Sequence, residues 1–392
     1  MPPSTPRPPQ RQYELDALRG LMLVLMTVTH LPTRLSSPLG QPFGYVSAAE
    51  GFVLLSAYMA GLVYGRVALA KGVDAMRLAF WRRARKVYFA HAALLFFLFT
   101  VIAGVGVTVD QPAVENLMHF YLTEPWRALP ASLLLLYRPP LLDILPMYVL
   151  FMLASPVALA WGSKRGWTGI LVGSFTLWVM AQFGLGAWLF LNTVTALGGH
   201  LPFNEAGSFD TFSWQLLWVV GLCMGASRSD AKVIPFEFPR WVVGVSLVLA
   251  VLAFGWRHWA GQVPFEATSA WRVTINLLFD KWQLGPLRLL NLTVLVILTI
   301  RCAPFVATFW ENHEWSVGRN VLVTLGSASL PVFCAHLLVV LLVLTAWGDS
   351  PMARSAWGDA TLLAACFGFL YLVADMTLWI ERTGARLRQP LP

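Results

Sequence analysis

The chain has 392 residues, of which 57% are hydrophobic and only 12% charged, and its mean hydropathy is +0.63. A soluble domain carries about a quarter charged residues, so this composition excludes water as the main solvent of the fold. The formal net charge of +8 would suit nucleic acid, but the basic residues lie between apolar runs rather than over a soluble face, so they report membrane topology and no nucleic-acid partner is expected.

Apolar runs approaching the roughly 20 residues needed to cross a bilayer core recur along nearly the whole chain. They predict an all-α, polytopic membrane protein of about ten transmembrane helices, at 15–34, 47–66, 86–107, 142–162, 167–190, 212–227, 241–260, 284–303, 321–347 and 361–381. Residues 1–14 are Pro-rich and polar and read as a disordered cytoplasmic tail. The stretch after them carries Asp16 and Arg19, which makes it a poor secretory leader, so a retained first helix is expected. Residues 15–381 are expected to form one transmembrane domain, with 382–392 as a second cytoplasmic tail.

Between the second and third predicted helices, Arg66, Lys71, Arg77, Arg82, Arg83, Arg85 and Lys86 crowd one short loop or its edges. The positive-inside rule makes that loop cytoplasmic, and an even number of spans then puts both termini in the cytoplasm. The four cysteines, Cys223, Cys302, Cys334 and Cys366, fall in or at the ends of predicted helices without CxxC spacing. They read as small apolar side chains, with no disulfide framework and no metal site.

A charge retained at mid-membrane costs about 2.5 to 3.5 kcal/mol and needs a reason. The first predicted helix carries Asp16, Arg19 and His30, the second Glu50, the third His91; Asp143, His336 and Asp375 follow in the fourth, ninth and tenth. Arg19 and His30 share one helical face about 16 Å apart in depth, so that face links two levels of the membrane. Glu50, in the first turn of the next helix, is expected at the level of His30. A carboxylate that orients an imidazole makes a general base for a hydroxyl nucleophile, so His30 and Glu50 are the catalytic candidates. The bland alternative is an interfacial histidine beside a helix-start anion.

Asp16 and Arg19, at i and i+3, most simply neutralise each other. Arg82 and Arg85, in R-x-x-R spacing, read either as a positive-inside anchor or, with Arg19, as a phosphate site for a nucleotide-bearing donor. His91 and His336 read first as hydrogen-bonded groups inside the bundle, and Asp375 has no obvious partner. His119, His200, His258 and His313 fall in loops or at helix ends, where a solvated histidine needs no explanation. The 18 tryptophans fit interfacial belts, although Trp126 and Trp214 fall on the outer side, where a sugar would stack. Asp16, Asp143, Trp214 and His336 complete the candidate substrate contacts. The Gly-rich stretch at 195–200 has no phosphate-loop or dinucleotide pattern.

In ELDALRG at 14–20, the Arg19-x10-His30 spacing, GYVSAAEGFVLLSAYMAGLVYG at 44–65, RRARKVY at 82–88, LLDILPMYVLFMLASP at 141–156, SWQLLWVVG at 213–221 and LGSASLPVFCAH at 325–336, the sequence resembles the OpgC family, a branch of the acyltransferase-3 superfamily. The resemblance implies a ten-helix enzyme of the bacterial inner membrane that moves an acyl group, succinyl in known members, from cytoplasmic acyl-CoA to hydroxyls of periplasmic glucans. Acyl-CoA is then a co-substrate, with no permanently bound cofactor. By the same resemblance His30 is the base, Arg19, Arg82 and Arg85 hold donor phosphates, and Glu50 belongs to the outer site. Ala57 departs from the family pattern, which more often has Gly after Ser56, and is expected to loosen a helix contact.

The competing readings are a transporter or flippase for an anionic or glycan substrate and a non-catalytic scaffold. No convincing internal repeat favours transport. The acyl group, the acceptor linkage and the oligomeric state are not fixed by these residues. The catalytic reading requires Arg19 and His30 to line one shared passage through the bundle.

Overall fold

The computed structural model describes residues 13–229, 238–265, 269–312, 317–350, 352 and 354–387, and no strand occurs among them. The expected tail at 1–14 lies outside the described residues up to residue 12, as does His313.

Helix α1 (Tyr13–His30) is followed by the short α2 (Ser36–Gly40) and by α3 (Ala48–Lys71), which starts with a capping box of Ser47 and Glu50. Only Gly72, at φ +87°, interrupts the chain before α4 (Val73–Phe97). The basic loop expected there is therefore absent. Arg, Lys, Ala and Met favour helix and carry both elements through the segment, so its cations sit on helix faces. A π-turn at Leu98–Ile102 leads into α5 (Ala103–Val109), then α6 (Pro112–Thr123) and α7 (Pro125–Leu133).

Next come α8 (Ile144–Arg165), α9 (Thr168–Gln182) and α10 (Leu185–Ala196); the last two meet at an 81° bend where Gly184 has φ +86°. They are followed by α11 (Thr211–Ser229), α12 (Arg240–Ala260), α13 (Ala270–Leu278) and α14 (Pro286–Asn312). The helix expected over 321–347 is two, α15 (Val317–Ser327) and α16 (Ser329–Trp347). Pro331 explains the break, because it has no N–H for the Ser327 carbonyl and its ring crowds that position. The final helix, α17 (Ala356–Leu387), continues into the expected C-terminal tail.

Among the described residues seven segments are long and apolar enough to cross a membrane, and the bent pair of α9 and α10 makes an eighth if counted as one span. Each of the ten expected stretches has a helical counterpart, but the structure supports seven or eight by this measure. The shortfall lies at α1, which carries Glu14, Asp16 and Arg19 within 18 residues, and at α11, which carries Gln215, Ser213 and Arg228.

These two polar helices are packed by glycine. Gly61 and Gly65 of α3 and Gly221 and Gly225 of α11 each stand against the opposite helix: a Cβ at Gly225 would strike the Tyr58 carbonyl, one at Gly61 the Leu222 carbonyl, and one at Gly65 the Ser229 side chain. Small residues four apart let backbones touch, which is how helices adhere where lipid removes the hydrophobic drive. Ala57 sits fully buried in this seam, its Cβ 2.8 Å from where a Gly221 side chain would begin. The absence of a side chain at Gly221 on α11 makes room for the extra methyl, so the contact expected to be loosened is tight. Gly20 of α1 and Gly326 of α15 make an equivalent approach, against the Leu322 and Asp16 carbonyls.

Candidate functional site

Two cavities lie along α1, one at its Arg19 end and one at its His30 end. The first, of about 270 Å³, is lined by Arg19, Ser56, Arg83, Lys86, Tyr148 and Ser329 among others. Arg19 pairs with Asp16 at 3.6 Å and donates to the Ser329 hydroxyl, while its Nε has no hydrogen-bond partner. The α15–α16 break places Ser329 there, so the helix interruption is part of the site. Asp16 also accepts from the Ser327 hydroxyl at 3.2 Å, which ties α1 to α15; the expected Asp16–Arg19 pair is present, and Asp16 is not among the cavity residues.

The expected pair Arg82 and Arg85 does not line this cavity; Arg83, half-buried, and Lys86, exposed like Arg82 and Arg85, are also three apart, one helical step round, and line it with Arg19. Residue spacing alone cannot choose between two such stripes on one basic helix. Among the described residues the lone acid on this lining is Glu381 of α17, so cations outnumber it.

The second cavity, of about 300 Å³, is lined by His30, Ser47, Asp143, Ser208, Lys281 and Trp282 among others. His30 Nδ1 lies 3.1 Å from His336 Nε2. The ring centroids are 5.4 Å apart with 16° between planes, so the rings stand end to end in nearly one plane, with a nitrogen lone pair aimed at the neighbouring N–H. Phe333 packs edge-on against His336, centroids 4.9 Å apart.

Glu50, expected to orient His30, does something else. It is fully buried, accepts from the Ser47 backbone N–H at 3.0 Å and from the Ser47 hydroxyl, and takes an ion pair from Arg288 of α14. A guanidinium outcompetes an imidazole for a buried carboxylate because it stays charged and forks onto oxygen. His336 holds the position beside His30 instead.

Asp143, one residue ahead of α8, reaches the second cavity and accepts the Ser208 N–H at 2.9 Å. Trp214 is not available to a sugar: it is fully buried and donates its indole N–H to the Trp282 carbonyl at 3.0 Å. His91 is buried and Asp375 exposed, and neither lines either of these two cavities. Sequence reading missed Arg83, Lys86, Lys281, Ser208 and Arg288. The polar segment DKWQLGP at 280–286 between two apolar stretches was the available signal for Lys281.

Arg19 and His30 thus line adjacent cavities rather than one open passage. Ile144 and Phe333 line both, and form the wall between them.

A family model described as OpgC protein matches residues 11–382, nearly the whole chain. The chain belongs to the OpgC family. No curated protein and no solved structure matches it. Each block that carried the resemblance to OpgC proteins reaches these cavities or their supports: ELDALRG brings Asp16 and Arg19, AEGF brings Glu50, DILPMY brings Asp143 and Tyr148, SWQLLWVVG brings Trp214, and LGSASLPVFCAH brings Ser327, Ser329 and His336. The OpgC family is associated with acyltransferase activity.

Proposed function

We propose that this OpgC-family chain is a membrane O-acyltransferase of the bacterial inner membrane, moving a succinyl group from cytoplasmic succinyl-CoA to hydroxyls of a periplasmic glucan. In this reading the chain crosses the bilayer ten times, with α1 and α11 as spans, and both termini are cytoplasmic. The Arg19 end then faces inward and the His30 end outward. The observation that carries the proposal is the His30–His336 hydrogen bond at the wall of a cavity that also holds Asp143.

His336 Nδ1 makes no hydrogen bond to the protein. In this reading His336 carries its proton on Nδ1, so that its Nε2 accepts from His30 Nδ1–H. The remaining nitrogen of His30, Nε2, is left as a base. It removes the proton of the acceptor hydroxyl as the oxygen attacks the thioester carbonyl carbon. A C–O bond forms and, as the tetrahedral intermediate collapses, the C–S bond breaks. The imidazolium returns its proton to the departing thiolate, giving ester and free coenzyme A thiol. In this reading Asp143 and Ser47 hold acceptor hydroxyls, and Arg19, Arg83 and Lys86 bind donor phosphates. The acyl arm crosses from the first cavity to the second where Phe333 and Ile144 divide them, which requires the Phe333 side chain to swing aside.

The test is donor thioester cleavage by the purified protein together with mass spectrometry of glucans from cells with and without it. Acylated glucan that disappears with His30→Ala, while the protein stays in the membrane, is the expected result. Glucan that keeps its acyl groups in the His30→Ala strain would overturn the assignment. Substrate flux without coenzyme A release would favour a transporter.

A further inference from the structure

The connection between α13 and α14 is braced along its length. The Phe279 carbonyl accepts from Arg288 Nη1 at 3.3 Å, and the Trp282 carbonyl from the Trp214 indole and the Asp210 N–H, each at 3.0 Å. The Gln283 carbonyl takes Gln182 Nε2 at 2.7 Å, and the Leu284 carbonyl takes the Trp178 indole at 3.0 Å. Three successive carbonyls are thus gripped by side chains from α9 and α11. Leu284 is held at φ +50°, and Leu141, on the lining of the His30 cavity, at φ +70°. A branched side chain persists in that region only where its surroundings over-determine it, and such positions concentrate at ligand sites.

This bracing holds the backbone on either side of Lys281. Its ammonium stands 4.7 Å from the Trp282 ring centroid and 5.7 Å from that of Phe209, and Lys281, Trp282 and Phe209 all line the cavity that holds His30. Two acids share its surroundings, Glu50 and Asp143. The first is occupied by Ser47 and Arg288, the second by the Ser208 N–H, and among the described residues neither forms an ion pair with Lys281. Aromatic faces partly compensate a desolvated cation but do not replace a counter-ion. A neutral glucan brings none: its hydroxyls match Asp143, Ser47 and Ser208. The anion must come with the other substrate.

We propose that Lys281 binds a free carboxylate at the far end of the acyl chain while His30 acts near its thioester, so that acyl groups of dicarboxylic acids are selected over acetyl. This rests on the acyltransferase reading above and names the residue that sets its donor class. The rigid mounting serves selectivity, because a flexible lysine would follow a shorter chain and lose the distinction.

The test uses the full-length purified protein, Lys281→Met and Lys281→Arg, each with succinyl-CoA and acetyl-CoA and a neutral glucan, with product read by mass spectrometry. A charge-assisted hydrogen bond makes the expected fall in the succinyl-to-acetyl ratio for Lys281→Met about tenfold to a hundredfold. Lys281→Arg, which keeps the cation, is expected to retain the preference for succinyl. A Lys281→Met protein that loses both donors by the same factor, or keeps the wild-type ratio, overturns the inference and leaves the acyltransferase reading standing. A wild-type protein that transfers neither donor defeats that reading itself, and this inference with it.

Discussion

Arg288 of α14 donates to Glu50 in the first turn of α3, joining residues 238 positions apart in sequence through two side chains no more than 1% exposed. Removing one partner of a buried pair strands the other charge, which costs about 3–5 kcal/mol, whereas replacing both by neutral groups of similar size is often tolerated. Arg288→Met and Glu50→Gln are each expected to lower the midpoint of thermal unfolding in detergent sharply. The double variant should recover much of the loss. Additive losses in the double variant would mean that the two charges do not depend on each other.

His336 is expected to act on the reaction only through His30. In Gln, the side-chain oxygen keeps an acceptor for His30 Nδ1–H; in Ala it is gone, and His30 is free to adopt the other tautomer. Loss of such an orienting partner typically costs about tenfold to a hundredfold. His336→Ala should therefore lower kcat by that order with little change in donor KM, and His336→Gln should restore part of it. A KM effect without a kcat effect would instead make His336 a substrate contact.

The two arginine stripes of α4 separate by their faces. Arg83→Ala and Lys86→Ala are expected to raise donor KM about tenfold each, the scale of one lost charge-assisted contact. Arg82→Ala and Arg85→Ala, whose side chains are exposed outside the cavity lining, should leave donor KM close to that of the parent protein. Steady-state kinetics with varied acyl-CoA distinguishes them. The reverse ranking would place the phosphates on the other stripe.

Phe333 divides the cavities, and its truncation joins them. Phe333→Ala is expected to admit water to the thioester, so that coenzyme A release in the absence of glucan rises severalfold while ester product per thioester cleaved falls. Thiol release measured with and without acceptor reports this. Unchanged coupling would show that Ile144 alone keeps the two spaces apart.

Sequence alone determined the solvent, the helices and the rare charges. A bilayer penalises every unneeded ionisable group by several kcal/mol, so Asp16, Arg19, His30, Glu50, Asp143 and His336 announce themselves one by one, and the glycine spacing of α3 and α11 is equally visible. Partnership was decided only by the tertiary structure. The sequence offers Glu50 and His30 as one pair, yet Arg288 takes the carboxylate and His336 the imidazole, because pairing depends on which helix stands alongside and local spacing carries no record of that. The same limit explains the choice of Arg83 over Arg82, the burial of Trp214 behind the Trp282 carbonyl, and the placing of Lys281, whose flanking backbone is held by hydrogen bonds from α9 and α11 rather than by its own neighbours in the chain.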